Sequence, residues 1–246
     1  MPSTANGTLP PEPSDAPHHS VPVSNGYFYW VVKVFLTPVL LLAFRPKVEG
    51  LKRVPRRGPA LLASNHTSYL DWLFLPLVVR TRRISFLAKI EYFTRRGLRG
   101  RAQRFFFTAT GQVPVDRAGA DAASASLRTA RRLLEEGRLV GVFPEGTRSR
   151  DGRLNRGRTG VARMAAQSGV PVIPCGIVGA HECAPAGARL PRPRRVVIRF
   201  GEPMPPVTTK GRAPTAEELR TWTDELMTRI AVLSGQEQSD LDQLAP

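Results

Sequence analysis

The chain of 246 residues is 41% hydrophobic, which is enough to bury a substantial core, and its length fits one α/β domain with appendages better than two full domains. Its 36 lysines and arginines exceed its 20 acidic residues, and the formal net charge of +16 favours polyanionic partners such as phospholipid surfaces, nucleic acid, nucleotides or acidic carrier proteins. Compositional bias and a solvated surface account for about half of this excess, and charge alone does not choose among the partners. Cys175 and Cys183 match neither a CxxC redox motif nor a zinc pair, which excludes a disulfide framework and predicts buried or incidental thiols.

The amino-terminal part of the chain changes character after residue 25. Residues 1–25 are rich in Pro, Ser, Asn and Gly and have no basic-then-apolar start, which predicts a disordered leader and not a secretory signal peptide. Residues 26–46 are predicted to form a membrane-associated helical anchor, because they contain the most apolar stretch of the chain. Lys33 and Pro38 favour a kinked helix or hairpin sunk into one leaflet, with Lys33 reaching the headgroups. An amphipathic helix packed on the domain is the alternative, because hydropathy does not distinguish a membrane from a protein surface.

Between residues 47 and 234, short apolar runs alternate with helical segments, which predicts one α/β domain with a mixed central sheet flanked by helices. The predicted strands are 60–64, 84–89, 139–143, 170–178 and 194–200. The predicted helices are 71–79, 99–108, 120–136 and 159–167. A last amphipathic helix begins after Thr215, which forms a capping box with Glu218, and residues 235–246 are predicted to be a flexible tail.

The segment NHTSYLD carries the sharpest chemical signal, because Asn65 and His66 directly follow a predicted strand and Asp71 begins an apolar helix. A turn between strand and helix can bring the Asp71 carboxylate to the His66 imidazole. Such a contact selects one tautomer and raises the basicity of the ring, as a general base for a hydroxyl group requires. A capped helix start or a hydrogen-bonded core pair explains the same residues without catalysis.

The segment FPEGTRS, residues 143–149, lies where a buried strand runs out into a loop, the usual place of ligand contact in α/β sheets. Arg148 offers a planar guanidinium for phosphate oxygens, and Gly146 lets the backbone approach a ligand. Glu145 can orient a donor or accept a hydroxyl proton. A turn with a surface ion pair is the alternative interpretation.

Two further segments carry weaker signals. GQVPVDR places Arg117 just before the helix predicted from residue 120, which fits an anion site, although a turn with a salt-bridged arginine is the better interpretation when this segment is taken alone. VPVIPCG has Pro171 and Pro174 inside a predicted strand, which indicates an edge or irregular strand. We expect it to form a wall of an acyl-binding region.

In this order and spacing, the four segments resemble the glycerophospholipid acyltransferase superfamily, and within it the 1-acylglycerol-3-phosphate acyltransferases. The resemblance covers about residues 45 to 205 and depends on the His-x4-Asp block occurring together with FPEGTRS. It implies that His66 is the general base and Asp71 its partner. The positions that it implies for the glycerol phosphate are Arg117, Glu145, Gly146, Thr147 and Arg148, with Lys89 as a further basic candidate.

The resemblance implies that the acyl group goes from acyl-CoA or acyl-carrier protein to the sn-2 hydroxyl of 1-acylglycerol 3-phosphate, giving phosphatidic acid in phospholipid biosynthesis. The acyl donor is then a co-substrate, and neither a cofactor nor a metal is expected. The expected partners are a lysophospholipid acceptor and an anionic membrane surface, without nucleic acid. The expected location is the cytoplasmic face of the cell membrane, with the chain monotopic, peripheral or held by a single N-terminal span.

The mechanism expected is direct transfer, since the sequence has no GxSxG elbow that would present an activated nucleophile. Backbone N–H groups near Gly146, or at the helix start after His66, are candidates to stabilise the oxyanion. Another acceptor within the superfamily, such as glycerol 3-phosphate, another lysophospholipid or a lyso-aminolipid, is the nearest alternative. A non-enzymatic basic protein that binds membranes or nucleic acid would explain the charge but not the arrangement of the site residues.

Overall fold

The computed structural model describes residues 26–115, 122–185, 190–209 and 211–239. The predicted leader, residues 1–25, lies outside these ranges, as do Arg117 and residues 240–246. The helices are α1 Gly26–Phe44, α2 Asp71–Val78, α3 Glu91–Thr94, α4 Gly97–Ala109, α5 Ala122–Glu135, α6 Gly160–Ser168, α7 Ala180–Cys183 and α8 Ala216–Ser234. The strands are β1 Lys47–Glu49, β2 Ala60–Ser64, β3 Ile84–Lys89, β4 Gln112–Val115, β5 Leu139–Val142, β6 Val172–Val178 and β7 Val197–Phe200.

Within the described ranges, the strands form one mixed sheet in the order β1-β7-β6-β2-β5-β3-β4. Every neighbouring pair is parallel except β6 with β7. The strands β2 and β5 lie side by side at the centre, with Ala60 opposite Leu139 and Ala63 opposite Val142. Their carboxyl ends therefore open at the same edge of the sheet. The predicted α/β class with a mixed sheet flanked by helices is confirmed.

The two faces of the sheet bury two separate apolar cores. Successive side chains of a strand point to opposite faces, so Leu61 joins one core and Leu62 the other. The core of Leu62 includes Phe74 of α2 and Phe44 at the end of α1. The core of Leu61 is covered by α5, α6 and α8. The capping box predicted at Thr215 and Glu218 is present and begins α8.

The helix α1 turns a broad apolar stripe away from the domain. Tyr27 is 72% exposed, Phe35 75% and Leu42 76%. Lys33 lies on the opposite side, where its Nζ donates a 2.7 Å hydrogen bond to the carbonyl of Val79, just after α2. The expectation that Lys33 reaches lipid headgroups is therefore wrong, because its ammonium finds a backbone acceptor on the domain instead.

Pro171 and Pro174 predicted either an edge strand or an irregular one, and the position of β6 excludes the edge. The strand β6 pairs with β2 on one side and β7 on the other, although it contains Pro174. The carbonyl of Pro174 accepts a 2.8 Å hydrogen bond from Gly201, one residue beyond β7. In an antiparallel pair, the N–H and the C=O of one residue point toward the same residue of the neighbouring strand. The N–H that Pro174 lacks would therefore have faced Gly201, which lies beyond the end of β7. The proline thus costs no ladder hydrogen bond within β7.

Two shorter segments also differ from expectation. Residues 112–115, interpreted as a turn, form the edge strand β4, which pairs with β3. The residues after Ser234 are not wholly a flexible tail, because the N–H of Leu154 donates to the carbonyl of Glu237 and the N–H of Ser239 donates to the carbonyl of Leu154. Residues 237–239 thereby pair with the loop that follows β5.

Candidate active site

The site is built where the loops after β2 and β5 meet. His66 comes two residues after β2, and Phe143 directly follows β5. The N–H of Ser149 donates a 2.8 Å hydrogen bond to the carbonyl of His66, so the two loops are joined through their backbones. The ring of His66 also stacks on that of Phe143, with centroids 4.0 Å apart and planes 13° from parallel. The structure therefore brings the two main sequence motifs into one place.

The imidazole of His66 contacts the carboxylate of Asp71, as the sequence predicted. Nδ1 of His66 lies 2.9 Å from Oδ2 of Asp71. The Asp71 side chain is fully buried, whereas the His66 side chain is 18% exposed. An N–H on Nδ1 donates to Asp71, which leaves Nε2 as an acceptor, and within the described residues Nε2 has no protein partner. The ring therefore offers its basic nitrogen to a ligand.

The turn from His66 to Asp71 is stabilised by the same carboxylate. Oδ2 of Asp71 accepts hydrogen bonds from the backbone N–H groups of Thr67 at 2.7 Å and Ser68 at 2.8 Å. The turn thus folds back over the start of α2, which is how a spacing of five residues brings a carboxylate to an imidazole. This geometry narrows one expectation: the N–H groups of Thr67 and Ser68 donate to Asp71, and that of Gly146 donates to the carbonyl of Phe143, so none of these three is free to bind an oxyanion.

Glu145 lies behind the site and is not open to a ligand. It is 2% exposed, and its Oε1 accepts a 2.6 Å hydrogen bond from the N–H of His66. Oε2 accepts from both the backbone N–H and the side-chain Nδ2 of Asn155, each at 2.9 Å. Burial raises the pKa of Glu145 from its ordinary 4.5 to about 7, while the Asn155 and His66 donors act in the opposite direction. Glu145 therefore holds the two loops together, and the expectation that it contacts the substrate is corrected.

The remainder of the predicted FPEGTRS site is an exposed loop beside this buried frame. Gly146, Thr147 and Arg148 are all exposed. Gly146 has φ +73°, and a Cβ there would lie 2.9 Å from Nε of Arg158. A side chain at this position would be strained and would meet Arg158. Arg158, which no spacing in the sequence singled out, thus lies against the same loop, and its own N–H donates to the carbonyl of Pro144 at 2.8 Å.

Two further basic residues, Arg117 and Lys89, were predicted to bind the phosphate, and the structure describes only Lys89. Arg117 lies outside the described residues. Lys89 is the last residue of β3 and is exposed, at the same carboxyl edge of the sheet as His66 but beyond β5 in the strand order. Among the described residues, no three His, Cys, Asp or Glu side chains group closely enough to hold a metal ion.

Asn65 and Gln236 form a support that the sequence did not reveal. Asn65 is 1% exposed. Its Oδ1 accepts a 2.8 Å hydrogen bond from the N–H of Ile177 in β6, and its Nδ2 donates a 2.9 Å hydrogen bond to the carbonyl of Ile177. Its Nδ2 also donates to Oε1 of Gln236 at 2.7 Å, and Nε2 of Gln236 donates to the carbonyl of Gly152 at 2.5 Å. Gln236, two residues after α8, therefore connects the residue before His66 to the loop after β5.

The family model described as Acyltransferase matches residues 45–178 of this chain, which include every residue of the site except Gln236. The chain belongs to this acyltransferase family. The resemblance seen in the sequence is thereby confirmed.

Similar proteins lie in bacteria and in chloroplasts. This acyltransferase is 29% identical over 210 residues to the 1-acyl-sn-glycerol-3-phosphate acyltransferase of Bacillus subtilis, covering 85% of this chain and 96% of that protein. It is 30% identical over 168 residues to a chloroplastic 1-acyl-sn-glycerol-3-phosphate acyltransferase of Arabidopsis thaliana, covering 68% of this chain. The match spans only 45% of the Arabidopsis protein and, likewise, 45% of the Brassica napus one.

A solved structure shares the fold of this acyltransferase. The 1-acyl-sn-glycerophosphate acyltransferase of Thermotoga maritima superposes with a TM-score of 0.59 at 25% sequence identity. The match covers 87% of this chain and 96% of the Thermotoga chain. The similarity therefore extends over nearly the whole length of that protein.

Proposed function

We propose that this acyltransferase moves a fatty acyl group from an acyl thioester to the sn-2 hydroxyl of 1-acylglycerol 3-phosphate, giving phosphatidic acid. The observation that carries the proposal is the 2.9 Å contact of His66 Nδ1 with the buried carboxylate of Asp71, which leaves Nε2 without a partner among the described residues on a ring that is 18% exposed. The relatives from Bacillus subtilis and Arabidopsis thaliana, both named 1-acyl-sn-glycerol-3-phosphate acyltransferases, support this choice of acceptor.

His66 acts as a general base in the proposed reaction. Nε2 takes the proton of the acceptor hydroxyl as that oxygen attacks the thioester carbonyl carbon, and the Asp71 carboxylate stabilises the imidazolium that forms. The tetrahedral intermediate then collapses, the C–S bond breaks, and the imidazolium returns its proton to the leaving thiolate. The products are the ester and a free thiol. No acyl-enzyme and no cofactor beyond the thioester co-substrate takes part.

The acceptor phosphate is bound by basic side chains at the carboxyl edge of the sheet. Arg148 is exposed in the loop that Glu145 holds against His66, which suits a guanidinium that pairs with phosphate oxygens. Lys89, also at this edge, contributes further positive charge, and Arg117, which lies outside the described residues, is a further phosphate ligand in this proposal. The donor is acyl-CoA or acyl-carrier protein, both of which are anionic and complement the net charge of +16.

The helix α1 attaches the enzyme to the cytoplasmic face of the cell membrane. Its window Tyr27–Phe44 is long and apolar enough to cross a bilayer by length and composition, and only 11% of that window is buried inside the protein. Because the exposed stripe lacks charge while Lys33 is bound to the domain, α1 is suited to lie in one leaflet beside the domain. Nucleic acid is not a partner in this proposal.

The test is a panel of acceptors offered to the purified full chain in detergent solution, with acyl-CoA as the donor in one series and acyl-carrier protein in the other. Thiol release is followed in time, and the products are identified by mass spectrometry. We expect phosphatidic acid from 1-acylglycerol 3-phosphate, and slow turnover of monoacylglycerol, which lacks the phosphate. Faster turnover of glycerol 3-phosphate, another lysophospholipid or a lyso-aminolipid would reassign the acceptor. Absence of thiol release with every acceptor and with either donor would reject the enzymatic proposal.

A further inference from the structure

The helix α4 presents an apolar ridge to the outside of the molecule. Leu98 is 83% exposed and Phe105 is 54% exposed. These residues are seven apart in a helix, which places them nearly in line along one face. Phe106, 40% exposed, widens the ridge on one side. Large apolar side chains exposed in a row on a helix indicate a surface that contacts something other than water.

Arginines flank this ridge on both sides. Arg101 and Arg104 project on one side of the line through Leu98 and Phe105, and Arg99 on the other, as the rotation of 100° per residue requires. All three arginines are exposed, and in the described part of the chain none of them forms an ion pair. The helix contains no acidic residue. The basic residues in and just before α4 are Arg95, Arg96, Arg99, Arg101 and Arg104.

The ridge of α4 continues into the exposed stripe of α1. The rings of Phe28 and Phe105 meet edge to face, with centroids 5.5 Å apart. Phe28 is itself 44% exposed. On its inner side α4 contacts α2, the helix that begins at Asp71. The ring of Trp72 in α2 packs against those of Phe106 and Phe107, with centroids 6.0 and 5.9 Å apart. The same helix thus contacts the proposed anchor and the start of α2.

We propose that α4 lies in the headgroup region of an anionic phospholipid bilayer and forms a second, charge-selective membrane contact beside α1. The proposal rests on the membrane attachment proposed above for α1. Leu98 and Phe105 enter the boundary of the acyl chains, while the guanidinium groups on both sides pair with lipid phosphates and with anionic headgroups. The apolar stripe of α1 binds any bilayer, whereas the arginines of α4 make binding depend on its charge.

The experiment is vesicle flotation of the full chain with two compositions, phosphatidylcholine alone and phosphatidylcholine mixed with phosphatidylglycerol. The charge variant is Arg101→Glu with Arg104→Glu, and the ridge variant is Leu98→Asp. The matched control is Arg128→Glu with Arg163→Glu, which makes the same change in charge at exposed positions of α5 and α6, on the layer across the sheet from α1. Because charges beyond about 10 Å are screened at 0.1 M salt, the control isolates the local effect.

We expect the unaltered chain to bind the anionic vesicles more tightly than the neutral ones, with the difference decreasing in high salt. The charge variant should bind anionic vesicles about tenfold or more weakly, with little change on neutral vesicles. The ridge variant should weaken binding to both compositions, and the control should match the unaltered chain. The proposal would be overturned if the charge variant and its control lost affinity for anionic vesicles equally. It would also be overturned if the unaltered chain bound anionic and neutral vesicles equally well.

Acyl transfer in detergent micelles separates this proposal from the function on which it rests. We expect all of these variants to retain the turnover of the unaltered chain in micelles, because none of the substituted residues belongs to the His66 site. An active enzyme whose vesicle binding is independent of α4 would refute only the second contact. A chain that binds no vesicles at all would refute membrane attachment through α1 as well, while leaving the chemistry intact.

Discussion

The N–H of His66 donates a 2.6 Å hydrogen bond to Oε1 of Glu145, so the two motifs of the site meet at one buried carboxylate. Glu145 also holds Asn155 through its other oxygen. Its role is therefore to fix the backbone that carries the imidazole. Because the carboxylate is buried, this role has a consequence for the dependence of stability on pH.

Replacement of Glu145 by Gln should remove one titration from the unfolding equilibrium. Burial raises the folded pKa of Glu145 to about 7, above its ordinary 4.5, so between these values the folded state holds a proton that the unfolded state has lost. The stability from this group is full below pH 4.5 and is lost as the pH rises through 7. Relative to Glu145→Gln, the unaltered chain should lose about 3 kcal/mol over that window. Urea unfolding in detergent at several pH values measures the unfolding free energy of both proteins. If the two free energies changed with pH in parallel, the prediction would be wrong.

Replacement of Asp71 by Asn should reduce turnover while the fold is retained. The amide oxygen can still accept from the N–H groups of Thr67 and Ser68, but a neutral side chain does not stabilise the positive charge that His66 acquires. We expect kcat to decrease by about 10²-fold or more, with little change in KM for the acceptor. Circular dichroism serves as the control for folding. A decrease confined to KM would show that Asp71 acts on binding and not on the base.

Replacement of Arg148 by Ala should weaken acceptor binding. Loss of one charge-assisted hydrogen bond to phosphate raises KM for 1-acylglycerol 3-phosphate by about tenfold or more, with KM for acyl-CoA little changed. Arg150→Ala is the matched control, because Arg150 is an exposed arginine of the same loop. If the two variants raised KM equally, the effect would belong to the charge of the loop and the assignment of Arg148 would be wrong.

Replacement of Gln236 by Ala should lower both the stability of the protein and its turnover, although Gln236 does not contact His66. The variant loses the hydrogen bonds to Asn65 and to the carbonyl of Gly152, which together should cost about 1 to 3 kcal/mol of unfolding free energy. Turnover should decrease because Asn65 precedes His66. The control is Gln238→Ala, since Gln238 is exposed and pairs with Leu154 through its backbone. Equal stability of the two variants by thermal unfolding would refute a positioning role for Gln236.

Local patterns in the sequence predicted two interior strands of the sheet closely. The runs at 60–64 and 84–89 coincide with β2 and β3, since buried parallel strands are apolar throughout and end sharply at polar turns. The strand β1 was missed because it has only three residues, and β4 because Pro114 lies within it. For β6 the sequence left an edge and an irregular strand open, because proline occurs in both, and only the end of β7 beside Pro174 explains why it is tolerated inside the sheet.

The contact between His66 and Asp71 was predictable because the two residues are only five positions apart, in one turn that their own side chains and backbone close. The residues that hold this pair in place could not be predicted. Asn65 and Gln236 are separated by 171 positions, and Glu145 by 79 from His66, so no local pattern relates them. Glu145 likewise accepts two hydrogen bonds from Asn155, which lies ten residues further along the chain. Residues whose roles depend on distant partners require the folded structure.

The central claim is that His66 is the general base, and the rate of thiol release by His66→Ala tests it most directly. The assay uses saturating acyl-CoA and 1-acylglycerol 3-phosphate in detergent, with circular dichroism and vesicle binding as controls for an intact fold. We expect kcat to decrease by about 10²-fold or more while both controls match the unaltered chain. Turnover close to that of the unaltered chain, in a variant that is folded and binds membranes, would contradict the claim.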